Sequence, residues 1–221
     1  MNKTFIIGLP RTGTTSVSVA LLEHGFKVAH TAFTKRAFEL ADVISDAPCF
    51  SDYQQLDVLF PKSRYVYLDR PLEKWTPSIQ MLLKKMQGPL DIKTGYFNPV
   101  LKRSFNDTFK LSCATDPFDS QHLKACYQTH KETVLNYFST RDDFLSIDIS
   151  QSGSLGTLLS FLDIAVEEST EGTNDTNINF PRLNIGKQVD SWKEFKHPNK
   201  VNPNSAGREH RKFFDYHLSS I

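Results

Sequence analysis

The chain has 221 residues, a formal net charge of +1, 39% hydrophobic residues and 23% charged residues. This size and composition are typical of a globular protein with a core of its own. A net charge near zero attracts neither nucleic acid nor an acidic membrane, so we expect neither as a partner and expect any anion site to be local. The odd number of cysteines, without metal-ligand spacing, favours reduced thiols in the cytoplasm.

The first half of the chain alternates short apolar runs with segments of helical periodicity, each bounded by glycine or proline. Strands are predicted over residues 4–9, 26–29 and 64–69. Helices are predicted over residues 14–24, 34–44, 52–60 and 71–86. Strands that alternate with helices indicate a three-layer α/β fold, in which helices flank a central parallel sheet and ligands bind at the carboxyl ends of the strands.

The second half contains longer stretches without a clear period. We expect a helix over 120–138, a strand over 144–149 and then a helix to residue 162. Three segments are expected to lack this regularity: 87–118 is irregular, 167–179 is a polar loop, and 192–221 is a C-terminal tail with a helical stretch near 208–217. We expect one domain over residues 1–221, since no repeat or linker divides the sequence.

The segment "IIGLPRTGTTSV", residues 6–17, joins the first strand to the first helix. Gly8 and Gly13 allow a tight turn, and the amides at the start of the helix favour an anion. A magnesium-dependent ATP-binding loop would have lysine at position 14, where this chain has Thr14. Its cation is Arg11, inside the loop, which indicates an anion site that works without that lysine.

The stretch "GLPRTGTTS" resembles the 5′-phosphosulfate loop of sulfotransferases and implies their P-loop-like fold. These enzymes use 3′-phosphoadenosine 5′-phosphosulfate (PAPS) and release adenosine 3′,5′-bisphosphate (PAP). The resemblance implies in-line sulfuryl transfer to a hydroxyl or amine of a small molecule or glycan, without a metal. It assigns binding of the donor to Arg11, Thr12, Gly13, Thr14 and Thr15, with Arg11 also acting on the bridging oxygen in catalysis.

A second stretch, "FPKSRYVYLDRPLEKWTPS" over residues 60–78, resembles the segment that binds the 3′-phosphate in the same family. In this resemblance Arg70 and Ser78 contact the phosphate. Arg70 follows the end of a strand, where its guanidinium can bind phosphate oxygens; a salt bridge with Asp69 or Glu73 is its ordinary alternative. The stretch "FPRLNIGK", residues 180–187, resembles the last nucleotide loop of the family and makes Lys187 a further candidate.

Transfer to a hydroxyl requires a general base, and the sequence leaves three main candidates. His30 follows the second predicted strand and is preferred, since histidine titrates near neutral pH. Glu39 lies on the next predicted helix, and Asp46 precedes the one after it. Each also has an ordinary interpretation: a turn residue for His30 and Asp46, and a surface ion pair with Lys35 or Arg36 for Glu39.

Two other functions remain open. A small-molecule kinase with a divergent phosphate loop would use Asp69, at the end of the strand 64–69, near magnesium. A relative without catalytic activity would keep the nucleotide site alone. The acceptor pocket is expected within 87–143 or beyond 190, and aromatic residues of the irregular segment could line it or belong to the core: Tyr96, Phe97, Phe105 and Phe109.

Overall fold

The computed structural model describes residues 2–164, 180 and 191–205. The predicted loop 167–179, Lys187 and the predicted helical stretch near 208–217 lie outside these residues. The described part contains thirteen elements in the following order: β1 (Thr4–Ile6), α1 (Thr14–Glu23), β2 (Val28–Ala29), α2 (Lys35–Leu40), β3 (Val43–Ser45), α3 (Cys49–Leu59), β4 (Arg64–Leu68), α4 (Leu72–Leu90), α5 (Pro99–Phe109), α6 (Ser120–Tyr137), β5 (Phe144–Ile147), α7 (Ser154–Phe161) and α8 (Ser191–Glu194).

The strands form one sheet in the order β2-β3-β1-β4-β5, and every pair is parallel. Ile6 at the end of the central strand aligns with Ser45 of β3 and Val66 of β4. The carboxyl ends of all five strands therefore open at one edge of the sheet. This architecture confirms the predicted α/β fold class.

Side chains of the strands alternate between two buried layers, as the pleat of a sheet requires. Phe5 and Tyr65 pack on one face with residues of α3 and α6. Ile6 and Val66 pack on the opposite face with residues of α1 and α7. Because both faces are covered, the strands read as continuous apolar runs, which is why β1 and β4 were predictable.

Two parts of the secondary-structure prediction are wrong. The predicted helix 34–44 ends at Leu40, and extended backbone at Ala41 leads into β3. The predicted irregular segment 87–118 contains the end of α4 and the whole of α5. The Asn98 side chain accepts from the Val100 amide and caps α5, with Pro99 in its first turn, so asparagine and proline begin a helix here.

A third apolar cluster joins α4, α5 and α6 beyond the carboxyl edge of the sheet. Phe105 and Phe109 are buried in it, which assigns them to the core. Tyr96 is 81% exposed, and Phe97 packs partly against the cluster. Among the described residues, no helix combines the length and the apolar character needed to cross a membrane.

Candidate active site

Glycine at two positions lets the loop between β1 and α1 pack closely against its neighbours. Gly13 has a φ of 111°, and a Cβ there would lie 2.1 Å from Ile149 Cδ1. A Cβ on Gly8 would lie 2.6 Å from Leu68 Cβ. Both contacts are far closer than carbon atoms approach each other, so the two glycines allow the loop to pass against β4 and the segment after β5.

The start of α1 presents backbone amides at this edge of the sheet. Gly13 precedes the helix, and no side chain of the described residues caps its first turn. The Thr12 hydroxyl donates to the Leu9 carbonyl at 2.7 Å and thereby holds the loop. Thr14 and Thr15 are the first helical residues. Uncapped amides at a helix N-terminus form a site for an anion.

Arg11, Arg70 and Ser78, predicted from two separate motifs, meet beside this helix end. Arg11 Nε donates to Ser78 Oγ at 2.7 Å. The Arg70 guanidinium donates to the carbonyl oxygen of Arg11. The buried Trp75 donates its indole N–H to the Pro10 carbonyl at 2.9 Å, which ties α4 to the loop.

Two arginines held together in this way place two positive charges close to each other. Burial and the nearby charge of Arg70 lower the pKa of Arg11, while Asp46 acts in the opposite direction. Burial also lowers the pKa of Arg70, although the negative charge of Asp148 acts to raise it. An anion bound between the two guanidinium groups would relieve their repulsion and replace the lost hydration.

His30 and Asp46 face each other where β2 and β3 end. Their Nε2 and Oδ2 atoms are 3.6 Å apart, and their side chains are 13% and 17% exposed. Burial lowers the pKa of His30 to about 4, with a contribution from the charge of Lys200. Burial raises the pKa of Asp46 to about 7, although the Ala47 amide and Arg11 stabilise its charge. At neutral pH the imidazole is therefore neutral and the carboxyl group titrates.

Two buried serines, which the sequence motifs did not indicate, contact the Nδ1 side of the His30 ring. Nδ1 of His30 lies 2.9 Å from Ser45 Oγ and 3.2 Å from Ser18 Oγ. Nε2 faces Thr15 Oγ1 at 3.4 Å and Asp46. Ser18 lies one turn after Thr15 on the same helix face, and this spacing is the signal that could have identified it.

A C-terminal segment also covers His30, and no motif had marked it. The Trp192 ring centroid lies 5.0 Å from that of His30. Lys200 Nζ lies 4.3 Å from the Trp192 ring centroid and donates to the carbonyl oxygens of Trp192 and Phe195. The backbone around Lys200 pairs with β2 through Val28. This segment, residues 191–205, is called the strap below.

Two other predicted residues have partners outside this cluster. Glu39 pairs with Arg36 at 3.1 Å on the exposed side of α2. Asp69, the candidate magnesium ligand of a kinase, accepts from Tyr127 on one oxygen and from Lys131 on the other. Within residues 2–164, 180 and 191–205, no three acidic, histidine or cysteine side chains are grouped as metal ligands would be.

The chain is an α/β protein with a parallel sheet. Its strand-loop-helix motif and the residues grouped around Arg11 and His30 lie at the carboxyl edge of that sheet. A family model described as "Sulfotransferase domain" matches residues 31–189. The chain therefore belongs to the sulfotransferase domain family. The match begins after the loop of Arg11 and includes Asp46, Arg70 and Ser78. A search of curated proteins found no match to the chain.

Proposed function

We propose that the chain is a PAPS-dependent sulfotransferase that acts on a hydroxyl or amine acceptor. Its family accounts for sulfuryl transfer in general. The choice of PAPS rests on one observation, the convergence of Arg11, Arg70 and Ser78 beside the uncapped start of α1. Two groups of anion-binding residues suit a ligand that carries phosphate at both the 5′ and the 3′ position.

In this proposal the amides of Gly13 to Thr15 hold the 5′-phosphosulfate, and Arg70 and Ser78 hold the 3′-phosphate. PAPS supplies an activated sulfuryl group. The acceptor oxygen or nitrogen forms a bond to sulfur while the bond from sulfur to the bridging oxygen of the 5′-phosphate breaks, which leaves PAP. Arg11 stabilises the negative charge that develops on that bridging oxygen. This arrangement requires no metal ion.

We assign the general base to Asp46, with the imidazole of His30 beside it at 3.6 Å. A base works best when its pKa lies near the operating pH, and the pKa of Asp46 is raised to about 7. The pKa of His30, lowered to about 4, makes the imidazole a weaker base. The acceptor proton passes to the Asp46 carboxylate. The exposed ion pair of Glu39 with Arg36 argues against Glu39 in this role.

Calorimetry with PAP, AMP, ADP and ATP tests the proposal without knowledge of the acceptor. Charge-assisted contacts to a 3′-phosphate should make PAP bind roughly a hundredfold more tightly than AMP. Arg70→Ala should remove most of this preference and leave the affinity for AMP nearly unchanged. Equal affinity for PAP and AMP, or tighter binding of ATP than of PAP, would rule out the proposed donor.

A further inference from the structure

Tyr127 on α6 lies against the turn that carries Arg70. Its hydroxyl accepts a hydrogen bond from the Arg70 amide at 2.7 Å and donates one to Asp69 Oδ1 at 2.6 Å. The residue is 2% exposed, and its ring centroid lies 4.7 Å from that of Trp75. Since Trp75 also bonds to Pro10, Tyr127 belongs to a buried group that links α6 to both predicted nucleotide motifs.

Lys131 holds the other oxygen of the same carboxylate. It lies one turn after Tyr127 on α6, and its Nζ donates to Asp69 Oδ2 at 2.6 Å. Burial alone would raise the pKa of Asp69, but the hydrogen bonds from Lys131 and Tyr127 outweigh it and keep that pKa below its usual value. Asp69 is therefore a carboxylate at neutral pH, and its charge is satisfied by α6 together with the Arg70 amide, which donates to Oδ1 at 3.0 Å.

This arrangement affects what the neighbouring arginine can bind. Asp69 directly precedes Arg70, and an unrestrained carboxylate would be a natural ion-pair partner for the Arg70 guanidinium. In the structure that guanidinium donates instead to the Arg11 carbonyl, beside Ser78. The side chains of α6 are thus the partners of the Asp69 carboxylate, and the Arg11 carbonyl is the partner of the Arg70 guanidinium.

We propose that Tyr127 and Lys131 are positioning residues of the 3′-phosphate subsite. By holding Asp69 against α6, they prevent the carboxylate from pairing with the Arg70 guanidinium and from repelling the phosphate. The inference rests on the proposed function, because it assigns a role within the same nucleotide site. It adds α6, which contains neither predicted nucleotide motif, to the residues that determine donor specificity.

The test compares the affinities of the full-length chain for PAP and AMP by calorimetry. Lys131→Met releases Asp69 and should lower the ratio of the two affinities by about tenfold, since it costs a charge-assisted contact at the phosphate. Tyr127→Phe keeps the ring and its packing on Trp75, and it should lower the ratio by about fivefold. Combining Asp69→Asn with Lys131→Met removes the competing carboxylate and should restore the ratio.

Tyr137→Phe is the matched control. Tyr137 lies on the same helix and likewise donates to a carboxylate, Asp57 Oδ2 at 2.8 Å, but it is remote from Arg70. This variant should keep the wild-type ratio. If the wild-type chain prefers PAP and both α6 variants keep that preference, or lose PAP and AMP affinity equally, the positioning role is wrong while the proposed function stands. A wild-type chain without any preference for PAP contradicts the proposed function itself.

Discussion

Arg11 and Ser78 are separated by 67 residues in sequence and joined by a hydrogen bond of 2.7 Å between Nε and Oγ. The bond links the loop after β1 to α4, so two motifs predicted separately become one surface. It leaves the terminal nitrogens of the Arg11 guanidinium for other partners. This geometry suits an arginine that Ser78 of the proposed 3′-phosphate subsite orients and that acts on the bridging oxygen in the neighbouring 5′-phosphosulfate subsite.

Replacing Arg11 with alanine should therefore reduce turnover more than binding. We expect Arg11→Ala to lower kcat by about 10²-fold or more, as removal of a group that stabilises charge in the transition state does. PAP affinity should fall much less, because the amides of α1, Arg70 and Ser78 remain. Steady-state kinetics with PAPS and a phenol that the wild-type chain accepts, together with PAP calorimetry, measure the two effects. A loss of PAP affinity with kcat unchanged would assign Arg11 to binding alone.

Activity should not require a divalent cation. In the proposed mechanism the protein supplies the positive charge through Arg11, Arg70 and the amides of α1. We expect transfer of the sulfuryl group from labelled PAPS to proceed at an unchanged rate in excess EDTA. Activity that disappears with EDTA and returns with magnesium would favour a metal-dependent reaction such as that of a kinase.

The parts of the site that were predictable are those encoded by local pattern. The strand-loop-helix at residues 6–17 and the turn at Arg70 combine apolar runs with glycine, proline and arginine at fixed positions. The strand β3 was missed because its three residues follow a helix without a glycine or proline between them. The pKa values of His30 and Asp46 are shifted mainly by burial, which arises only when β2 and β3 pair and the chain packs around their ends.

The strap was unpredictable for a related reason. Its Asn- and Pro-rich sequence shows neither the period of a helix nor that of a strand. The backbone around Lys200 is held by pairing with β2 rather than by a local preference for secondary structure. Trp192, in the range beyond residue 190 where part of the acceptor pocket is predicted, lies beside His30. Long-range backbone pairing of this kind leaves no local signal in a single sequence.

Lys200 should lower the basicity of His30 through its charge. Burial and the Lys200 ammonium together lower the pKa of His30 to about 4. Lys200→Met removes the charge, so the His30 pKa should rise, as followed by the imidazole proton signals in NMR titration. Lys193→Met changes an exposed lysine on α8 and should leave the titration unchanged. A His30 pKa that does not move in Lys200→Met would contradict the influence of the strap.

The pH profile of turnover should identify the base. If Asp46 accepts the proton, kcat should rise with pH through an ionisation near 7, because only the carboxylate can act as the base. Asp46→Asn should lower kcat by about 10²-fold or more and abolish that ionisation. Glu39→Gln alters the exposed pair with Arg36 and should retain both the rate and the profile. A profile that persists in Asp46→Asn but is lost in His30→Gln would transfer the role to His30.

The same carboxyl group should make the fold less stable as pH rises. The pKa of Asp46 is about 7 in the folded chain, against an ordinary value of 3.8. Between these values the folded state binds the proton more strongly than the unfolded state, so stability is fully present below pH 4 and is lost as pH rises through 7.

An asparagine side chain at this position would not titrate, and asparagine tolerates the positive φ of 56° found there. Asp46→Asn should therefore raise Tm more at pH 8 than at pH 5, as measured by thermal unfolding. An equal difference at both pH values would mean that Asp46 does not titrate in this range. Greater stability together with lost turnover is the combination expected of a group kept for catalysis at the expense of stability.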